Sequence, residues 1–333
     1  MAVSSSPGQM EPGEIVDGYR IVRRLGAGGF SHTYEAIDER TGATVVLKVP
    51  NLELIGDPQT FERFRREMQI ARRLDHPNIQ HAGGEVDDPS LPYLVLEYID
   101  GETLREFLRG RLPLDPDQAV GYAVQLAHAL SYAHAHGVAH RDLKPENVLV
   151  TRGGQLKLSD FGIALLSGAR RVTWRWLNDG IGTPDYMAPE QIQGKRGDAR
   201  TDIYALGTML YEMLAGRVPW SGDNALAVMN QVINTSPEPL HLRSPRVSPP
   251  LEAVVHKAMR KDPDERYQSA DAMLHDLEHL DDVDLSQFVT SPERYVHKDI
   301  SFRSAMVLGT AIAVAFVLVI VLAVVLTMVL THK

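Results

Sequence analysis

Apolar and polar residues alternate from Tyr19 to Leu25, the period of a strand with one buried face. Gly26-Ala27-Gly28-Gly29-Phe30 interrupts the pattern and Thr33-Tyr34-Glu35-Ala36 restores it, which predicts a strand, a glycine loop and a second strand. Thr44-Val45-Val46-Leu47-Lys48-Val49 is a further apolar strand, with one lysine inside it. The period then changes to near 3.6 between Pro58 and Leu74, where Phe61, Phe64, Met68 and Ala71 share a face behind a proline suited to the first helical turn. Tyr93 to Ile99 is again strand-like and stops at Asp100-Gly101. Beyond it the helical period dominates. Pro116 to His136 carries Val120, Ala123, Val124, Ala127, Leu130 and Ala133, and an apolar helix opening at Asp202 runs through Leu214 to Gly216. Further helices are expected around 226–233, 250–259 and 270–280. A β-rich first third followed by a helical remainder is an α+β arrangement.

The two ends read differently. Met1 to Val16 is rich in Ser, Pro and Gly and lacks the apolar run of a signal peptide, so residues 1–18 are expected to be a mobile tail, with order from Tyr19. Residues 281–303 form a polar linker, acidic at Asp281, Asp282 and Asp284 and basic later at Arg294, Lys298 and Arg303. From Ala305 to Leu330 there is no charged residue. At a rise of about 1.5 Å per residue such a stretch exceeds the roughly 30 Å hydrocarbon core, so residues 304–330 are expected to form a transmembrane helix. Lys298 and Arg303 precede the span and only Lys333 follows it, which puts the larger part of the chain on the cytoplasmic side of the cell membrane as a single-pass protein. A few C-terminal residues then lie on the far side, and no extracellular sensor domain is expected. Ala305, Gly309 and Ala313 form a small-residue stripe through which a homodimer could pack.

Composition narrows the chemistry. The 333 residues are 44% hydrophobic, enough for a sizeable core, and the absence of cysteine removes disulfide frameworks and cysteine-based zinc sites. A net charge of −9 argues against nucleic acid as the main partner. Among the 13 histidines, His134 and His136 stand close together, but two residues apart on a helix they face different directions, which disfavours a shared metal.

The most specific stretch is His140-Arg141-Asp142-Leu143-Lys144-Pro145-Glu146-Asn147, followed by Asp160-Phe161-Gly162. It gathers a carboxylate, an ammonium and an amide in one loop and adds a second carboxylate, a donor set suited to magnesium and a phosphoryl group. Both motifs match H-R-D-L-x-x-x-N and D-F-G, and the chain from Tyr19 to Leu280 resembles the protein Ser/Thr kinases, most closely the bacterial membrane-attached branch. The resemblance implies a two-lobed kinase fold spanning 19–280, with a small lobe at about 19–97 and a helical lobe at about 101–280. It further implies that Asp142 orients the substrate hydroxyl, that Lys144 stabilises the transferring phosphoryl, and that Asn147 and Asp160 hold Mg²⁺, or Mn²⁺ in its place. ATP would be held by Gly26, Ala27, Gly28 and Gly29 over its phosphates, by Lys48 with Glu67, and by Leu96, Glu97, Ile99 and Leu149 around the adenine. A surface ion pair with Arg63 or Arg66 is the other reading of Glu67. Ser31, Thr33 and Val46 depart from the family pattern around the nucleotide.

Gly182-Thr183-Pro184-Asp185-Tyr186-Met187-Ala188-Pro189-Glu190 resembles the close of an activation segment. The resemblance implies that Glu190 pairs in the interior with Arg266 and that Thr183 bonds toward Asp142 and Lys144. Arg141 before the catalytic aspartate implies a negative partner on that segment, and Asp179 stands where many relatives carry a phosphorylated threonine; a turn residue within Asn178-Asp179-Gly180 is the other reading of Asp179. The expected activity is transfer of the ATP γ-phosphoryl to Ser/Thr hydroxyls of protein substrates. The rival is a membrane-tethered pseudokinase scaffold that binds nucleotide or partners without transfer.

Overall fold

The alternation read at Tyr19 has its physical cause in a sheet packed on one face. In the computed structural model, which describes residues 10–27, 31–50, 72–83, 93–161 and 184–286, the first strands are β1 (Ile15–Val16), β2 (Tyr19–Ala27), β3 (Ser31–Asp38) and β4 (Thr44–Pro50). With β5 (Ala82–Gly83) and β6 (Leu94–Glu97) they form an antiparallel sheet in the order β1-β2-β3-β4-β6-β5. Along β3 the buried positions alternate through Tyr34, Ala36 and Asp38, and Tyr34 and Ala36 meet Ile21, Leu47 and Val95 in a small core. A second cluster of Val46, Ala82, Leu94 and Leu96 lies apart from it.

Residues 10–18, expected to belong to a mobile tail, are ordered. Met10 is buried among Tyr34 and its neighbours, Gly13 N–H donates to Ile21 O at 2.8 Å, and Ile15 and Val16 pair with Arg20 and Tyr19. The segment is ordered because Met10 and Val16 cover apolar surface that β2 and β3 would otherwise expose to water, a gain invisible in a Ser/Gly/Pro-rich composition.

The large lobe begins with a three-stranded sheet, β7 (Gly101–Thr103), β8 (Val148–Thr151) and β9 (Leu156–Leu158), paired β7-β8-β9. Its helices are α1 (Leu104–Leu108), α2 (Pro116–Ala135), α3 (Pro189–Ile192), α4 (Ala199–Ala215), α5 (Ala225–Asn234), α6 (Leu240–Arg243), α7 (Pro249–Ala258) and α8 (Ala270–Glu278). α2 opens at Pro116, as its sequence predicts, behind a cap supplied by Asp115. α4 starts three residues earlier than expected, because Asp198 accepts the Arg200 N–H as its cap. It ends at Gly216, whose φ of +81° suits a residue without a Cβ. α4 is buried along nearly its whole length, and a Cβ on its Gly207 would stand 2.8 Å from Ala258 Cβ, so glycine there lets α7 pack closely. Short α1 and the three-stranded sheet escaped the sequence reading, since strands and helices of three to five residues hold too few periods to detect.

Among the described residues no helix is long and apolar enough to cross a membrane. The expected span at 304–330, the stripe Ala305, Gly309 and Ala313 and most of the linker lie outside the described residues, as does the helix expected at Pro58–Leu74 apart from its last residues.

Candidate active site

The loop His140–Asn147 joins α2 to β8, and its shape is imposed by one buried carboxylate. Asp202 on α4 is fully buried and accepts three hydrogen bonds: from His140 N–H at 2.8 Å, Arg141 N–H at 2.6 Å and His134 Nε2 at 2.8 Å. A buried carboxylate needs such donors to offset desolvation, and in taking them it fixes the backbone. Arg141 is held at φ +62°, an unusual conformation for a side chain of its size that the bond to Asp202 compensates. His140 is locked next: its Nε2–H donates to Ser159 O at 2.8 Å and its Nδ1 accepts the Asp142 N–H at 3.3 Å, which sets the neutral tautomer. Its ring also packs edge-on against Phe161.

These supports place the candidate catalytic groups side by side. Lys144 Nζ lies 3.0 and 2.8 Å from the two Asp142 carboxylate oxygens. Asn147 Nδ2 donates to Asp142 O at 2.7 Å and to Asp142 Oδ2 at 3.0 Å. Both bonds use the amide nitrogen, so the side-chain Oδ1 of Asn147 remains available to a hard cation. Asp160, at φ +65°, receives Lys48 Nζ on Oδ1 at 2.5 Å. Burial would raise the Asp160 carboxyl, but the Lys48 ammonium outweighs it by charge and hydrogen bond and, with smaller help from Lys144, holds it below the usual range.

The lysine inside β4 therefore has the anionic partner its desolvation demands, and the pair joins the β4 strand of the small lobe to the loop after β9. Glu67, expected to share Lys48, lies outside the described residues, as do Gly28, Gly29, Asp179 and Thr183. Gly26 and Ala27 end β2 opposite Thr33 and His32. Val46 and Leu96 face each other across β4 and β6, and Leu149 is half-buried on β8 opposite Thr103. At the expected adenine edge, Glu97 N–H is bonded to His81 O and Glu97 O accepts Gln80 Nε2, each at 2.9 Å. Gln80 escaped the sequence reading, and its bond leaves one lone pair on that carbonyl. Ile99 is half-buried.

Glu190 and Arg266 form the interior pair that the resemblance implies. Nη1 and Nη2 of Arg266 reach the two carboxylate oxygens at 2.8 and 2.7 Å, and Thr201 Oγ1 donates to Glu190 Oε1 at 2.8 Å. His134 and His136 diverge as their spacing requires, the first to Asp202 and the second tilted against the Tyr132 ring. Among the described residues no group of three or more His, Asp or Glu side chains is arranged to hold a metal by themselves. The supporting role of Asp202 was missed, although an acid in an otherwise apolar run, Asp202-Ile203-Tyr204-Ala205-Leu206, signals a buried carboxylate in need of partners.

A cleft of about 580 Å³ opens beside Asp142 and Lys144, with Arg105, Glu146, Tyr186 and Glu212 on its walls. Phosphoryl transfer requires this kind of arrangement: oriented groups with little covalent work to do.

Comparison with known proteins agrees with that geometry. The chain is 42% identical over 272 residues to a probable serine/threonine-protein kinase of Streptomyces coelicolor, a match that covers 80% of this chain and 40% of the relative. It is 41% identical over 272 residues to the serine/threonine-protein kinase PknB of Mycolicibacterium smegmatis, covering 80% and 43%. Against PrkC of Bacillus subtilis the figures are 36% identity, 80% and 41%. The chain thus spans about two fifths of the length of these curated relatives. Among solved structures, the kinase domain of Mycobacterium tuberculosis PknI superposes with a TM-score of 0.63 at 27% identity, over 82% of this chain and 99% of that one. The sequence profile of the protein kinase domain matches residues 19–277, and the chain belongs to the protein kinase family.

Proposed function

We propose that this chain is a protein Ser/Thr kinase that transfers the γ-phosphoryl of ATP to protein hydroxyls and is held at the membrane through residues 304–330. The observation that carries the reading is the joint placement of Asp142, Lys144 and Asn147 in one bonded loop, with Lys48 and Asp160 paired beside it. Relatives named as Ser/Thr kinases support it, and so does the lysine two residues after Asp142. The residues fit a divalent metal: the oxygens left to Asn147 and Asp160 are hard ligands, suited to Mg²⁺ and also to Mn²⁺. The ion would neutralise phosphate charge. Asp142 would accept the hydrogen bond of the substrate hydroxyl, Lys144 would move its ammonium from Asp142 toward the phosphoryl, and Lys48 would exchange Asp160 for phosphate oxygens. Each exchange swaps one charge-assisted bond for another, so the preformed pairs add little to the barrier.

The uncharged run 305–330 supports the membrane part of the proposal, with the kinase lobes cytoplasmic and Ala305, Gly309 and Ala313 as a dimer seam. The test is to incubate the full chain, in detergent, with Mg-ATP and a protein lysate, and to map phosphosites with Asp142→Asn as control. Threonine and serine labelling by wild type alone is expected. Equal labelling by both proteins would overturn the reading in favour of a pseudokinase scaffold.

A further inference from the structure

Gln80 is a buried polar residue two positions before β5, in a stretch where Ile79 and Ala82 belong to apolar clusters. Its N–H donates to Leu158 O at the end of β9 and its side-chain Nε2 to Glu97 O at the end of β6, each at 2.9 Å. Glu97 is held by further bonds. Its N–H donates to His81 O at 2.9 Å, and its Oε1 accepts the His81 N–H at 2.8 Å and the Lys157 ammonium at 2.6 Å. A residue pinned by three other bonds cannot turn its carbonyl toward a different donor, so the groups that reach Glu97 O decide whether that oxygen is satisfied.

In the ATP reading the backbone from Glu97 to Ile99 faces the edge of adenine, whose 6-amino group is a donor. Since the Glu97 N–H is already taken, Glu97 O is the backbone group this residue offers to that donor, and Gln80 fills one of its two lone pairs beforehand. A pocket that pairs with a substrate donor rejects the analogue lacking it, because a buried acceptor is then left without a partner. Gln80 removes that penalty. We propose that Gln80 is a specificity-determining residue of the nucleotide site: by keeping Glu97 O satisfied without the base, it relaxes the demand for the 6-amino group, so that purine nucleoside triphosphates lacking that amine bind nearly as well as ATP. An oxygen at the 6-position stays disfavoured, since it sets an acceptor against an acceptor. The inference rests on the ATP reading and adds to it which purines the site takes.

The experiment measures binding and so does not depend on phosphoryl transfer. The full chain, in detergent with Mg²⁺, is loaded with a fluorescent ATP analogue, and its displacement by ATP is compared with displacement by purine ribonucleoside triphosphate, which carries hydrogen in place of the 6-amine. Wild type should bind the two within about fivefold of each other. Gln80→Leu, similar in size and without a donor, should bind ATP about as well as wild type does but the purine analogue at least about tenfold more weakly than ATP, the loss expected when one buried acceptor is left unpaired. Both ligands meet the same protein, so a general loosening of the fold would move the two constants together and leave their ratio unchanged. A wild-type preference for ATP above about fivefold, or a ratio no larger in Gln80→Leu than in wild type, would overturn the inference. Should Gln80→Leu fail to fold, the wild-type ratio decides alone. A wild type that binds no ATP removes the nucleotide reading together with this inference, while tight ATP binding with a strong demand for the 6-amine removes this inference alone.

Discussion

Arg141 and Asp160, two of the residues that frame the site, both have positive φ, at +62° and +65°. Such conformations cost of order 1–3 kcal/mol and persist where neighbours over-determine them, here through Asp202 at Arg141 and Lys48 at Asp160. Asp202→Asn would exchange one acceptor oxygen for a donor facing backbone N–H groups. It should lower kcat at least tenfold while the fold survives, as read by activity alongside circular dichroism. Asp185 carries the pH dependence of this region. Burial first, then the charge of Glu212, pushes its carboxyl up from 3.8 to about 6. The folded state therefore holds the Asp185 proton more tightly than the unfolded chain does, so its contribution to stability is complete below about pH 3.8 and lost as pH rises through about 6. Asp160 and Glu190 act in the opposite sense. In each, burial is outweighed by a cation, Lys48 or Arg266, and the stability they give is lost as pH falls. Asp185→Asn isolates the first effect: relative to wild type, its urea midpoint should improve more at pH 7 than at pH 4.5. An equal change at both would show that Asp185 does not titrate differently on folding.

At the scale of elements, short helices are fixed by their ends. α1 has five residues, too few to stand alone, and is held by the capping box of Thr103 and Glu106 as well as by burial of Leu104 and Leu108. Thr103→Ala should cost about 1 kcal/mol in urea denaturation. α3 depends on a longer-range contact, the buried pair of Glu190 with Arg266. Removing either partner alone leaves a buried charge uncompensated, so Arg266→Met should destabilise the chain by roughly 3–5 kcal/mol, and the double variant with Glu190→Gln by less than the sum of the two.

Across the whole molecule, the small sheet and the helical lobe are joined at the site by Lys48 and Asp160, a contact 112 residues apart in sequence. Lys48→Met should leave Asp160 without its cation and weaken nucleotide binding, measurable by displacement of a fluorescent ATP analogue from the detergent-solubilised chain. The proposed anchor is tested on cells expressing the full chain. It should remain in the membrane fraction after carbonate extraction, and Val317→Lys should release part of it, since lysine at the middle of a span costs about 3 kcal/mol on insertion. Gly309→Ile should reduce self-association if the small-residue stripe is a dimer seam.

The sequence by itself determined the longer elements and the polar groups of the candidate site, because both are written locally. Alternation gives β2 and β3, an apolar run gives β4, the 3.6 period gives α2 and α4, and His140–Asn147 with Asp160 names the polar groups before any coordinates are known. The pairing of Glu190 with Arg266 was legible too, through family resemblance rather than spacing. What only the tertiary structure decided are contacts between residues far apart whose partners no local pattern names. Asp202 holds the loop 61 residues before it, Gln80 bonds to Glu97 O, and Arg105 gathers groups 41, 81 and 107 residues away. Met10 to Val16 is the same case in apolar form, since its order comes from surface that β2 and β3 offer once folded. A buried polar group announces that it needs a partner, but which partner it finds is settled by packing, and packing is a property of the folded chain.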